Sequence, residues 1–327
     1  MPFKKTREEK SKKKYEDACW FGYCPNLAER ENSRIKELAT RLKADSKKET
    51  LTNISEWQYN NMAYWFERYP LSNILAVFII IFLVSLSTCY ILGLWWLIAI
   101  FGTASATLLA ITILMITYYR KIPLKQFYNI FSFSISINFL LERKLAICRD
   151  YAKLTASLLF NMYPEMDIYF VHAPGHIATG IIVEKKLYIL DNNKPVATID
   201  KWHERWNKGR FSTKKVDRAK ATCMESVPLP SLLSKTSSPK LDTDMLANKL
   251  QKLLSIQNAP DDSRKDSLKI LEWKNGAILY EDDEIVNYSL AQRFRTMVSR
   301  ETLDIDHVAS VTIDRKKDDL IFKVTIK

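Results

Sequence analysis

Cys148-Arg149-Asp150-Tyr151-Ala152-Lys153-Leu154 opens a run in which Ala152, Ala156, Leu159 and Tyr163 recur at helical spacing, which places a thiol at the start of a helix. Free backbone N–H groups and the positive end of the helix dipole at that position favour the thiolate. Further along, His176 begins an apolar strand-like run, Ile177 to Val183, and Asp191 ends a second one, Leu187 to Leu190. The polar turn Glu184-Lys185-Lys186 separates the two runs, so they read as a β-hairpin. The midpoint between His176 and Asp191 falls at Val183-Glu184, which makes the two residues opposite or diagonal neighbours. Any odd sum of paired positions puts them on one face, and a one-residue slip would separate them. A thiol, an imidazole to take its proton and a carboxylate to fix the imidazole tautomer form a nucleophilic triad.

The segment from Phe139 to Trp202 resembles the transglutaminase-like superfamily, whose members carry Cys, His and Asp in this chain order on a papain-like core. The family's C-x-D-x-A motif stands here as Cys148-Arg149-Asp150-Tyr151-Ala152. Its His-bearing strand corresponds to His176-Ile177-Ala178-Thr179-Gly180, its Asp-ending strand to Leu187-Tyr188-Ile189-Leu190-Asp191, and Ile199-Asp200-Lys201-Trp202 follows. Many members have Gly two residues before the Cys, where this chain has Ala146, a departure that touches the turn into the helix and removes no catalytic group. The resemblance implies an α+β fold, a helix bearing Cys148 against an antiparallel sheet bearing His176 and Asp191. It also implies attack on an amide or ester carbonyl, by hydrolysis or by acyl transfer to an amine, with no cofactor and no metal.

Several residues compete for these roles. Cys148 can be read as a small core residue at the start of a buried helix. His172, followed by Ala173-Pro174-Gly175, is expected in the loop before the hairpin and is the alternative base. Asp200 is the substitute acid. The Cys148 backbone N–H supplies one oxyanion donor, and Asn138 and Gln126 are the upstream amides that could supply a second.

A second signal is residues 69–119, 51 positions between Arg68 and Arg120 without one charged side chain. As a single helix the stretch would be ~76 Å long, against a hydrocarbon core of ~30 Å, so it is expected to cross a membrane twice. A turn near Gly93 gives spans of about Ser72 to Tyr90 and Leu94 to Thr117. Trp95 and Trp96 then mark the far interface, and Tyr118 and Tyr119 the near one. Arg68, Arg120, Lys121 and Lys125 flank the spans, which predicts both termini in the cytoplasm at a cell membrane. The charged first fourteen residues do not read as a signal peptide.

The net charge of +12 is concentrated in part in residues 1–14, where seven Lys and Arg face two Glu. Beside a membrane such a tail can lie on anionic lipid headgroups; without a recognised nucleic-acid module, nucleic-acid binding is not expected. Residues 27 to 67 read as amphipathic helix, either interfacial or packed on the catalytic domain. The five cysteines are scattered and odd in number, which argues for reduced thiols and against a disulfide framework. Cys19 and Cys24 lack a second ligand pair for zinc, and Cys89 and Cys223 show no partner.

Beyond Trp202, Val227-Pro228-Leu229-Pro230 and Thr236-Ser237-Ser238-Pro239 mark a linker. A helix is expected from Thr243 to Ser255, a polar break at Asn258 to Ser267, and a strand at Ala277-Ile278-Leu279-Tyr280. A second helix at Ser289 to Thr302 and a terminal hairpin of Val308 to Ile313 with Leu320 to Ile326 complete a small α+β appendage. The expected organisation is thus a basic helical region (1–68), two membrane helices (69–119), a transglutaminase-like domain (120–226) and the appendage (227–327). Three readings fit: a membrane-anchored cysteine hydrolase acting on cytoplasmic peptides or proteins, an acyl transferase using the same triad, and a non-catalytic scaffold on the same fold.

Overall fold

The structure is a computed structural model. It describes residues 27–66, 95–123, 135–166, 168–173, 175–192, 194–208, 241–256, 267–274, 276–301 and 305–326, with a few shorter pieces between them. The basic tail, Cys19, Cys24, Cys89, Gln126, Cys223, the linker after Pro228 and most of the first expected span lie outside the described residues. The chain divides into two compact units, one formed by residues 63–150 and the other by the described residues of 1–62 and 151–327.

In the larger unit a six-stranded antiparallel sheet runs in the order β6-β5-β4-β3-β7-β8. Its strands are β3 (Ile168–Ala173), β4 (His176–Val183), β5 (Lys186–Leu190), β6 (Ala197–Thr198), β7 (Lys220–Thr222) and β8 (Ser226–Pro228). The hairpin turns on Glu184 and Lys185, both at positive φ (48° and 67°), the backbone a two-residue type I′ turn demands. Lys186 is already in the strand, paired with Val183.

Helix α5 spans Cys148–Met162. Within the larger unit its residues Tyr151, Leu154, Ala156, Leu158 and Leu159 are buried. On the sheet side, the Thr179 hydroxyl donates to the Ala152 carbonyl at 2.9 Å. On the other side lie α1 (Ser33–Leu42) and α2 (Lys47–Asn61), the latter opened by a capping box in which Ser46 accepts from the Glu49 N–H at 3.1 Å. Gln58 donates to Thr155 at 2.7 Å, Lys43 to the Met162 carbonyl at 2.9 Å, and Lys153 pairs with Glu29 at 2.6 Å. Of the two alternatives for the N-terminal helical region, residues 27–62 show packing on the rest of the larger unit, against α5.

The C-terminal part is α+β as expected, with one strand misplaced. Helices α7 (Thr243–Leu253) and α8 (Glu284–Arg300) pack with a three-stranded antiparallel sheet, order β10-β11-β9, of β9 (Ser267–Trp273), β10 (Val308–Lys316) and β11 (Asp319–Ile326). The third strand lies at 267–273, whereas residues 276–279 form a short helical turn. Alternation over four residues fits either period, and here Ala277 and Tyr280 share a buried face three residues apart. This part is tied to the sheet and to α2: Asp283 accepts from Lys186 (2.7 Å) and Tyr188 (2.9 Å), and Arg293 pairs with Glu56 at 2.8 Å.

In the smaller unit, β1 (Ala63–Tyr64) pairs in parallel with β2 (Leu145–Ala146), and the Trp65 ring stacks on Phe139 of α4 (Ile137–Arg143) at 5.9 Å. Arg68, expected as an exposed flanking charge, is instead buried and ion-paired with Asp150. A charge with a buried protein partner cannot serve as an interfacial anchor.

Residues Trp95–Arg120 form one 26-residue helix, α3, just after Gly93, whose φ of 70° marks a turn at the expected position. Among the described residues, however, no helix is long and apolar enough to cross a membrane, and the expected two-span hairpin is unsupported to that extent. The described apolar side chains of α3 are nonetheless exposed, among them Ile100, Leu108, Ile111, Leu114 and Met115.

Candidate active site

His176 and Asp191 are brought together by the register of the hairpin. Thr179 faces Leu190 and Gly180 faces Ile189, so paired positions sum to an odd number and the two residues are diagonal neighbours on one face. The β3–β4 connection fixes the other end: Gly175 takes φ 71°, and Ala173 faces His176 as the closing pair. The result is a hydrogen bond of 2.6 Å between His176 Nε2 and Asp191 Oδ1, with both side chains nearly enclosed.

The second carboxylate oxygen of Asp191 is held from three directions. The Trp202 indole N–H donates to Oδ2 at 3.1 Å, Lys194 Nζ at 3.2 Å and Arg205 Nη1 at 3.3 Å. Trp202 and Arg205 stand three residues apart on α6 (Ile199–Lys208), hence on one face, and the Trp202 ring also lies alongside the His176 ring at 6.3 Å. Burial alone would raise the Asp191 carboxyl, but the His176, Lys194 and Arg205 charges and the His176 hydrogen bond outweigh it and hold the group well below the usual carboxylate range. Asp191 is thus an anion at neutral pH, and His176 Nε2 is the donor in their bond. The other ring nitrogen is Nδ1.

Trp202, Lys194 and Arg205 were not singled out from the sequence as site residues. The one legible signal was the placement of Trp202 and Arg205 on a common helical face just after Asp191.

Cys148 is the first residue of α5 and is partly exposed. The role of Asp150 in the C-x-D motif is local: its carboxylate reaches back to the Ile147 N–H at 3.0 Å, the N3 half of a capping box, and so fixes where the helix begins. The Cys148 N–H belongs to the first turn, whose N–H groups have no intrahelical acceptor. His172 is not in a loop: it lies in β3 paired with Ile177, a position of opposite parity to that of His176. Asp200 sits in the first turn of α6. Asn138 is an exposed residue of α4.

A family model described as a transglutaminase-like domain matches residues 33–218 of the chain. The chain is also similar to the UPF0252 protein MJECL39 of Methanocaldococcus jannaschii, with 28% identity over 202 residues, 59% of this chain and 54% of that protein. The chain therefore spans about half the length of this relative. No solved structure matches.

Proposed function

From a chain that belongs to the transglutaminase-like family, we propose a cysteine-dependent hydrolase that cleaves amide bonds in peptide or protein substrates through Cys148, His176 and Asp191. The observation that carries this reading is the 2.6 Å His176–Asp191 bond, with the carboxylate clamped on its far oxygen by Trp202, Lys194 and Arg205. Support on the nucleophile's side comes from its place at the first turn of α5.

In this mechanism His176 Nδ1 takes the Cys148 proton and the sulfur adds to the carbonyl carbon. The resulting oxyanion accepts from the Cys148 backbone N–H. The imidazolium, stabilised by Asp191, returns its proton to the departing amine as the C–N bond breaks, leaving a thioester. Water, deprotonated by the same Nδ1, then attacks the thioester, and the acid and the thiol are released. An amine in place of water would give acyl transfer with the same residues.

We further propose that residues 69–119 attach the protein to a lipid bilayer, with the described catalytic residues on the cytoplasmic face. The supporting observation is the exposure of large apolar side chains around α3, with Trp96 and Tyr118 near its ends. Leaving such surface in water costs about 25 cal/mol per Å². After the burial of Arg68, the orientation rests on Arg120 and Lys121.

Iodoacetamide alkylation of the full chain, resolved by site with mass spectrometry between pH 5 and 9, tests the catalytic reading. Cys148 is expected to label faster than Cys223 at pH 6 to 7, and equal rates would remove the nucleophile assignment. Cleavage of a peptide library with and without an added amine separates hydrolysis from transfer, and no turnover at all from a reactive Cys148 would favour a scaffold.

A further inference from the structure

The start of α5 contains an electrostatic conflict. Asp150 stands two residues after Cys148, and its Oδ2 accepts from the Ile147 N–H at 3.0 Å while its own N–H donates to the Ile147 carbonyl at 2.9 Å. The helix start therefore depends on this carboxylate. A buried anion in the same helical turn as the thiol also opposes a second negative charge on sulfur. Asp150 is 1% exposed, so water does little to screen it.

Arg68 answers that conflict from a segment 80 residues upstream. Its Nη1 bonds the same Oδ2 atom, and its guanidinium, also 1% exposed, lies 5.9 Å from the centre of the buried Trp65 ring. Burial lowers the Arg68 pKa from its ordinary value and the nearby Arg149 lowers it further, whereas the Asp150 and Cys148 charges raise it. Cys148 and Asp150 share the first turn of α5, so the Arg68–Asp150 pair lies within one helical turn of the residue that carries the thiol. The other charged side chains of this unit near the helix start, Glu142, Arg143 and Lys144, are exposed or part-exposed. His176 enters only through the catalytic reading.

Resting on the assignment of Cys148 as nucleophile, we propose that Arg68 is a positioning residue for it. By cancelling the charge of Asp150, it lets the acid that fixes the start of α5 coexist with a Cys148 thiolate. Arg68 touches no reacting atom; it acts through Asp150.

The test uses the full chain in detergent, with Arg68→Met, Asp150→Asn and the double variant, reading the pH midpoint of Cys148 alkylation alongside thermal melting. Arg68→Met should raise the midpoint by about one unit or more, because it removes the cation that offsets the Asp150 charge in the turn that carries the thiol. Asp150→Asn should lower it, since the anion is gone and the Arg68 charge stays, while the amide oxygen can still accept from Ile147. The double variant should return close to wild type, having lost both charges. Midpoints that stay at the wild-type value in the variants that fold, with only melting affected, would show an ion pair that merely holds the fold and would overturn the proposal. Should Arg68→Met fail to fold, Asp150→Asn and the double variant decide: an unchanged or raised midpoint in Asp150→Asn overturns it. His176→Ala serves as the separate control. If Cys148 is unreactive in the wild type and indifferent to His176→Ala, the catalytic reading fails; if both respond and the Arg68 series does not, only the role of Arg68 fails.

Discussion

The Trp202 indole N–H donates to Asp191 Oδ2 at 3.1 Å, on the oxygen that His176 leaves free, and the same indole ring lies 6.3 Å from the imidazole. One buried side chain therefore fixes the carboxylate and screens its bond to the histidine. Trp202→Phe keeps most of the packing and deletes the donor. Equilibrium urea unfolding should show a loss of about 1.5–3 kcal/mol, the range for a hydrogen bond to a charged group, and Cys148 alkylation at neutral pH should slow several-fold. Wild-type values for both would mean that Lys194 and Arg205 suffice to hold Asp191.

His176 and His172 occupy sheet positions of opposite parity, so their alanine variants should separate cleanly. His176→Ala is expected to lower hydrolysis by about 10²–10⁴, the usual contribution of a general acid–base, and His172→Ala to leave most of it. Equal losses at the two positions would sink the base assignment.

Asp191→Asn should fold, because Lys194 and Arg205, with side chains 25% and 17% exposed, can turn to water once the anion is gone. Turnover should nevertheless fall, by up to about 10⁴, as the neutral amide no longer selects the Nε2–H tautomer. A variant that retains full turnover would exclude Asp191 from the triad.

The lowered pKa of Asp191 has a signed consequence for stability. A carboxyl whose folded value lies below its unfolded one stabilises fully above the unfolded value, near 3.9, and loses that contribution as pH falls through the folded value. Asp191 itself stays ionised between pH 8 and 5, so titration of this carboxyl removes its contribution only in strong acid. Unfolding free energies of wild type and Asp191→Asn should therefore converge below about pH 4. Divergence toward acid would mean the clamp does not favour the anion.

Topology reporters fused at Lys14, at Gly93 and after Lys327 test the proposed attachment. Cytoplasmic signals are expected at Lys14 and Lys327 and an external one at Gly93. An external signal at Lys327 would overturn the orientation and the cytoplasmic substrate pool with it.

The hairpin that carries His176 and Asp191 was legible because strand period and turn are local properties: two apolar runs around a short polar turn admit few registers, and the one set by the two-residue turn at Glu184 and Lys185 also aligns the pair. The start of α5 was legible for the same reason. What escaped was set by distant contacts. Arg68 reads as a membrane flank until its partner Asp150 is seen, and the clamp on Asp191 depends on how α6 folds back on the sheet. His172 was misread because Ala173-Pro174-Gly175 suggests an early turn, whereas β3 runs through to Ala173. Strand β9 was missed because its exposed Leu268 and Ile270 break the expected polar-out pattern, and its pairing with β11 supplies what its own sequence does not.

The parallel pairing of Ala63 with Leu145 and Tyr64 with Ala146 makes everything between them, 80 residues from 65 to 144, a single crossover. Parallel strands need only about a dozen residues to make that return. Closure entropy grows with the logarithm of length, so the longer route costs roughly 1.5 kcal/mol more than the shortest one. The fold is therefore nearly indifferent to what this crossover contains, provided Trp65 and Arg68 near its beginning and the α4 region near its end are kept. By the same entropy, a change in the length of this crossover costs the pairing of β1 with β2 little.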